Sequence, residues 1–299
     1  MRSDPTWEPA NTGDLTYERV LEAARPWGLE VRYCAETGST NAEAAAWAPL
    51  LGAGGAPGAG GAASWSAPGG GLVVANHQTA GRGRLDRTWF STPGTCLLFS
   101  LVVHPAVDPS LLGLVPLAAG VAACRAARSE GIDARLKWPN DLIAGGRKAG
   151  GILCETAWRA GAAGGAGPAG SAGWLVVGVG LNVNLETDDL PAELRGTATS
   201  LSAEAGRPLD RSGLLSSFLA AFLPLLGTLE TSGGSAVLDA YRPLCDTVGA
   251  EVRADVSGLA VTGVATDIDA SGALVLDTGA LLRSGDVVHL TRESTGTLL

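Results

Sequence analysis

Apolar positions along this chain alternate between a helical and an extended period. Over 110–129, Leu111, Leu114, Val115, Ala118, Val121 and Ala122 recur at helical spacing, which predicts a core helix closing near Gly131. Apolar runs at 72–76 and 96–103 predict buried strands. The clearest strand is predicted over 174–184, where apolar residues precede Gly178 and Gly180 follows at strand spacing, as if something approaches its end closely. Shorter strands are expected at 31–34 and 134–138, the second cut off by Pro139 with Asn140 and Asp141 in a turn. Segments 142–144 and 147–155 flank Gly145 and Gly146, a hairpin pattern. Near the start, Asp14 is placed to cap a short helix carrying Leu15, Val20 and Leu21 and stopped by Pro26. Thr40 and Glu43 have capping-box spacing for a helix running toward Trp47. Two later helices are expected over 211–226 and 234–245. From Val248 the chain changes to short alternating segments separated by Gly, Asp and Ser, which predicts a small β-barrel module.

Stretches 51–71 and 159–173 are rich in Gly and Ala and read as surface insertions rather than domain boundaries. The 299 residues are 46% hydrophobic, enough for one large or two modest cores. A net charge of -9 argues against a nucleic-acid partner, which would call for basic surface. Cys34, Cys96, Cys124, Cys154 and Cys245 are odd in number, scattered and free of CxxC spacing. That disfavours a disulfide framework or a zinc site. His77, His104 and His289 are equally dispersed, so no fixed metal site is expected. The N-terminus lacks the hydrophobic region of a signal peptide, and no run of about 18 apolar residues is uninterrupted, so a cytoplasmic chain with no membrane association is expected.

Against this acidic background, residues 81–89 gather Gly81, Arg82, Gly83, Arg84, Arg87 and Trp89 between two predicted strands, with Gln78 just before. Glycine admits a ligand close to the backbone, and arginine offers a planar fork for carboxylate or phosphate. The alternative is a solvated turn. Four more pieces share this polar, glycine-linked character: Ser39-Thr40-Asn41 at a helix start, Lys137-Trp138-Pro139-Asn140-Asp141, Lys148-Ala149-Gly150-Gly151, and Gly178 to Asn184. Each alone is ordinary loop or strand-end material.

In this order they resemble the biotin–protein ligases, through Glu-Thr-Gly-Ser-Thr-Asn, Gln-x-x-Gly-Arg-Gly-Arg, Lys-Trp-Pro-Asn-Asp, Lys-x-x-Gly-Ile-Leu-x-Glu and Gly-x-Gly-x-Asn-Val-Asn. The resemblance covers about 30–290 and implies an α+β fold. A mixed β-sheet packed by helices, class II synthetase-like and lipoate ligase-like, would span 14–246, and an SH3-like barrel would span 247–293. It implies activation of biotin by Mg²⁺-ATP to biotinyl-5′-AMP, then transfer to a lysine of a biotin carboxyl carrier domain of a carboxylase. Ser39, Thr40, Asn41 and Gln78 would hold the ureido ring, with Gly81, Arg82, Gly83 and Arg84 over the carboxylate and phosphate. Lys148 would bridge carboxyl and α-phosphate, so Lys148, Arg82 and Arg84 are the catalytic candidates. Trp89, Lys137, Asn140, Asp141, Gly151 and Asn182 would line the adenylate side. With only a short leader before residue 30, the single-function type is expected, as a monomer or weak homodimer.

The resemblance breaks at Leu85-Asp86, where many members have Arg-Gly. Two units of positive charge and a hinge glycine are missing, which is expected to alter adenylate retention or loop closure. A lipoate ligase of the same fold and a non-enzymatic biotin-responsive regulator are the competing readings.

Overall fold

The computed structural model describes residues 13–51, 70–104, 107–157, 174–256, 259–283 and 286–290. Most of both Gly/Ala-rich stretches, and 291–293 of the expected barrel, lie outside them.

The chain opens with α1 (Tyr17–Ala24), β1 (Glu30–Thr37) and α2 (Thr40–Trp47). Next come β2 (Gly71–Gln78), the small hairpin β3 (Gly81–Arg82) and β4 (Thr88–Trp89), then β5 (Cys96–Val103). After α3 (Val115–Ser129) follow β6 (Ala134–Lys137), β7 (Asp141–Ala144), β8 (Arg147–Ala157) and β9 (Trp174–Asn182). Helices α4 (Leu201–Ala205), α5 (Arg211–Ser232) and α6 (Ser235–Tyr241) lead to β10 (Glu251–Val256), β11 (Leu259–Ile268), β12 (Leu274–Leu276), β13 (Leu281–Leu282) and β14 (Asp286–His289).

Seven strands form one mixed sheet, ordered β1-β2-β5-β9-β8-β7-β6, in which only β1 and β2 run parallel. Strand β5 is central and buried throughout. It reads as one apolar run because both its faces are covered. Leu97, Phe99, Leu101 and Val103 meet α3 and α5 in the main core. On the opposite face Val102 packs with Trp47 of α2, while Cys96 and Leu98 pack with Leu185 and Leu190. The run 109–129, whose first six residues are 3₁₀, and helix α5 are apolar and long enough to cross a membrane by composition. Their buried residues belong to the main core between helices and sheet.

Two expected caps form differently. The N-cap of α1 is Thr16, whose hydroxyl accepts from the Arg19 N–H. Asp14 instead accepts from the backbone and side chain of Arg211 at the start of α5. At α2 the N-cap is Ser39, with no side-chain capping bond. The Thr40 N–H goes to Gln78 Oε1 at 2.7 Å, and Glu43 accepts from Thr37 Oγ1. Local spacing is overruled in both places by partners distant in sequence.

The last five strands form an antiparallel sheet, β13-β12-β11-β10-β14, the small barrel-like module. Trp138 docks it. The indole N–H donates to Gly272 O at 3.0 Å, and the backbone N–H donates to Thr247 Oγ1 at 2.9 Å.

Candidate active site

The ligand-side face of the sheet is shaped by where glycines fall on β9. Residues 175, 177, 179 and 181 face the helices, so Gly178 and Gly180 face the other way. A Cβ on Gly178 would lie 1.9 Å from Asn41 Oδ1, and one on Gly180 would lie 2.7 Å from Trp89 Cε2. Each missing side chain therefore makes room for a group arriving from elsewhere, Asn41 from α2 and Trp89 from the arginine hairpin.

Lys148 reaches the same face through a β-bulge. Leu142 pairs with Gly150 and Ile143 with Lys148, which leaves Ala149 as the extra residue. The bulge turns Ala149 and Gly150 toward the core and puts Lys148 and Gly151 on one face. The backbone of Lys148 is also pinned to a second segment, its N–H donating to Thr197 O and its C=O accepting from Thr199, both at 2.9 Å. Its Nζ lies 2.6 Å from Asp141 Oδ1 and 5.8 Å from the Trp89 ring centre, within cation–π reach.

The arginine hairpin is held down at two points. Arg82 Nη2 donates to Glu155 Oε2 at 2.7 Å. Arg84 Nη1 donates to Asn140 Oδ1 at 2.9 Å, and Asn140 is oriented by its own donation to Ile152 O at 2.8 Å. The tip is a tight turn in which the Arg87 N–H donates to Arg84 O at 3.2 Å, with Leu85 at φ 55° and Asp86 at φ 57°. Two consecutive left-handed residues make it a type I′-like turn, which favours Asn-Gly over Leu-Asp.

These parts enclose one cavity of about 750 Å³. Every site residue expected from sequence lines it except Gly81. A Cβ at Gly81 would lie 2.6 Å from Trp89 O, so this glycine serves the close pairing of the hairpin. Two ends differ chemically. At one, Ser39, Thr40, Asn41 and Gln78 are neutral, the first three nearly inaccessible, with Thr40 Oγ1 at 3.0 Å from Gln78 Oε1. At the other, Arg84, Lys137 and Lys148 gather beside Asp141 and Asn140. Asn182 sits deeper, 5% exposed, donating to Thr199 O at 3.0 Å. The Trp89 indole N–H is buried in the same wall with no partner among the described residues.

Such a cavity, neutral and hydrogen-bonding at one end and cationic at the other, suits an acid with an uncharged polar head joined to a phosphate compound. Residues 60–166 match the Biotin/lipoate A/B protein ligase family. The biotin–[acetyl-CoA-carboxylase] ligase of Mycobacterium tuberculosis is 32% identical over 282 residues, covering 91% of this chain and 93% of that protein. The chain belongs to the biotin–protein ligase family. The bifunctional ligase/repressor BirA of Bacillus subtilis is 34% identical over 214 residues, 71% of this chain, which spans 63% of that relative's length. Among solved structures, the Aquifex aeolicus biotin protein ligase in complex with biotin and ATP superimposes with a TM-score of 0.67 at 26% identity, covering 87% of this chain and 97% of that one.

Several residues in and around this cavity escaped sequence reading. Ser100 donates to Asn41 Oδ1 at 2.6 Å and is the one polar residue in the apolar run of β5, a usable sign. Glu155 closes the last residue of the Lys-x-x-Gly-Ile-Leu-x-Glu motif but carried no assigned role. Thr197 and Ala198, and His289 on β14, line the cavity itself, and nothing local marks them. His289 is 3.0 Å from Thr247 Oγ1, and burial with the nearby Lys137 charge holds its imidazole below the ordinary range. Four of the cysteines are held as thiols: burial pushes Cys34 and Cys154 up to about 12, and Cys96 and Cys124 to about 11.

Proposed function

We propose that this chain is an ATP-dependent biotin–protein ligase that forms biotinyl-5′-AMP and passes the biotinyl group to a lysine of a biotin carboxyl carrier domain. The single observation that carries this reading is the polarity of one cavity, with Thr40 and Gln78 at the neutral end and Lys148 with Arg84 at the cationic end. Gln78 Oε1 accepts from Thr40, so the Gln78 amide nitrogen is left to donate to a ligand, as a ureido carbonyl requires.

In the first step, a biotin carboxylate oxygen attacks the α-phosphorus of Mg²⁺-ATP, the bond to the β-phosphate bridge breaks and pyrophosphate leaves. Two anions must approach, and charge spreads over the phosphoryl oxygens, so fixed cations accelerate the step more than an acid or base would. In this reading Lys148 sits between carboxylate and phosphate, with Arg82 and Arg84 closing from the hairpin, a role supported by their shared place in the cavity wall. Among the described residues no three His, Cys, Asp or Glu side chains converge on a metal position, and Mg²⁺ is taken to arrive as part of the nucleotide substrate. In the second step a neutral lysine amine of the carrier attacks the anhydride carbonyl. The carbonyl–oxygen bond to phosphate breaks, AMP departs and the amine proton goes to solvent.

The test is incubation with biotin, Mg²⁺-ATP and a purified carboxyl-carrier domain, with mass analysis of the carrier. One biotinylated lysine is expected. An unmodified carrier, or equal labelling when lipoic acid replaces biotin, would overturn the reading.

A further inference from the structure

We infer that Glu155 is a positioning residue that sets the donor–acceptor sense of the neutral end of the cavity. The inference deepens the proposed function and rests on it.

Glu155 Oε2 accepts from Asn41 Nδ2 at 2.7 Å and from Arg82 Nη2 at 2.7 Å. The same Asn41 nitrogen donates to Leu153 O at 3.1 Å. An ionised carboxylate and a carbonyl only accept, so the Asn41 amide has one allowed orientation, nitrogen toward β8 and oxygen toward β5. There Asn41 Oδ1 meets Ser100 Oγ at 2.6 Å, and the single Ser100 hydrogen is committed to it. Ser100 Oγ is also 2.8 Å from Thr40 Oγ1. With the Ser100 hydrogen spent, Thr40 turns its own hydrogen inward, to Ser100 or to Gln78 Oε1. The Thr40 lone pairs are then left for an incoming N–H.

The Glu155 carboxylate, with the Leu153 carbonyl behind it, thus fixes a row of four side chains drawn from α2, β5 and β2. It presents an acceptor at Thr40 beside the Gln78 donor, the complement of a cyclic urea with its N–H and C=O. Without Glu155 only the longer bond to Leu153 O, at 3.1 Å, orients the Asn41 amide; a turned amide releases the Ser100 hydrogen to Thr40 and occupies one of the Thr40 lone pairs. Through Arg82 the same oxygen also ties the arginine hairpin to the head-recognising row.

Gly178 supports this geometry, since any side chain there would displace Asn41. So does burial, because Thr40, Asn41 and Ser100 are all at most 4% exposed and water offers little competition for their hydrogens.

The experiment titrates biotin and ATP separately into wild type, Glu155→Leu and Glu155→Gln by calorimetry, with thermal melting of each. Glu155→Leu should weaken biotin binding by about 10- to 100-fold, the size of a lost hydrogen bond to a charged group. ATP binding should stay within about twofold of wild type, the scatter of a change remote from the nucleotide. Glu155→Gln, which keeps an acceptor oxygen toward Asn41, should recover most of the biotin affinity. Wild-type biotin affinity in Glu155→Leu, or equal loss of biotin and ATP affinity in both variants, would overturn the role of Glu155 alone. A wild-type chain that takes up no biotin would overturn the functional reading and this inference with it.

Discussion

Lys148 Nζ lies 2.6 Å from Asp141 Oδ1, across the bulged pairing of β7 with β8. The carboxylate holds the ammonium over Gly151 and leaves its remaining hydrogens for an anion. Lys148→Ala should therefore slow pyrophosphate release from biotin and ATP by about 10²- to 10³-fold, as loss of one preorganised donor does. The fold should survive, because Thr197 and Thr199 bind the backbone of Lys148 and not its side chain. Near wild-type pyrophosphate release would refute the assignment.

The turn at Leu85 and Asp86 joins a conformational oddity to an electrostatic one. Both residues take positive φ, where glycine or asparagine is at home, and the Leu85 side chain is 65% exposed. Leu85→Arg/Asp86→Gly adds one positive charge, removes one negative charge and removes one left-handed non-glycine residue. Dissociation of biotinyl-5′-AMP should slow by about threefold or more, since exposed charges each contribute modestly. Stopped-flow release of the adenylate measures this, and an unchanged rate would sink the idea.

How much was legible in the sequence depended on whether a residue's partner was local. The hairpin at Gly145 and Gly146 was readable because its turn chemistry lies within the turn, and both glycines have positive φ. Gly178 and Gly180 announced a close approach, but not by what, since Asn41 and Trp89 come from far along the chain. The capping box at Thr40 failed for the same reason: Gln78, 38 residues away, takes the N–H that a local cap would have bonded. Ser100 was hidden in an apolar run whose burial on both faces could be read but whose facing helix could not. Chemistry carried by motif was visible, and chemistry carried by strand alternation became visible only with the sheet order.

The two β9 glycines can be used to separate the ends of the cavity. Gly178→Ala forces Asn41 Oδ1 away from a Cβ that would sit at 1.9 Å, and Gly180→Ala pushes against Trp89 at 2.7 Å. Overpacking of this kind costs about 1–3 kcal/mol when neighbours must shift. Gly178→Ala should raise the KM for biotin with little change for ATP, and Gly180→Ala should do the reverse. Steady-state kinetics with each substrate varied in turn checks it, and parallel effects on both KM values would show that the two glycines do not serve separate ends.

Arg211, the one charged side chain buried among the described residues, and its partner Asp14 should contribute to acid stability. Arg211 is 2% exposed and donates twice to Asp14 Oδ1, at 2.8 and 2.7 Å, and again to Asn76 Oδ1 at 2.8 Å. Asp14→Ala leaves that guanidinium without its carboxylate, a change worth about 3–5 kcal/mol for a buried pair. Arg211→Met combined with Asp14→Leu should recover part of the loss, because no charge then remains buried. Burial by itself raises the Asp14 carboxyl, but its hydrogen bonds and attraction to Arg211 outweigh that, so it titrates below its ordinary value of 3.8. A carboxyl depressed in the fold contributes stability that is complete above the unfolded value and is lost as pH falls through the folded one. The difference in urea midpoint between wild type and Asp14→Asn should therefore be constant from neutral pH down to mildly acid conditions and shrink only below 3.8. A difference that instead shrinks between neutral pH and about 5, where histidine titrates, would assign the acid sensitivity to another group.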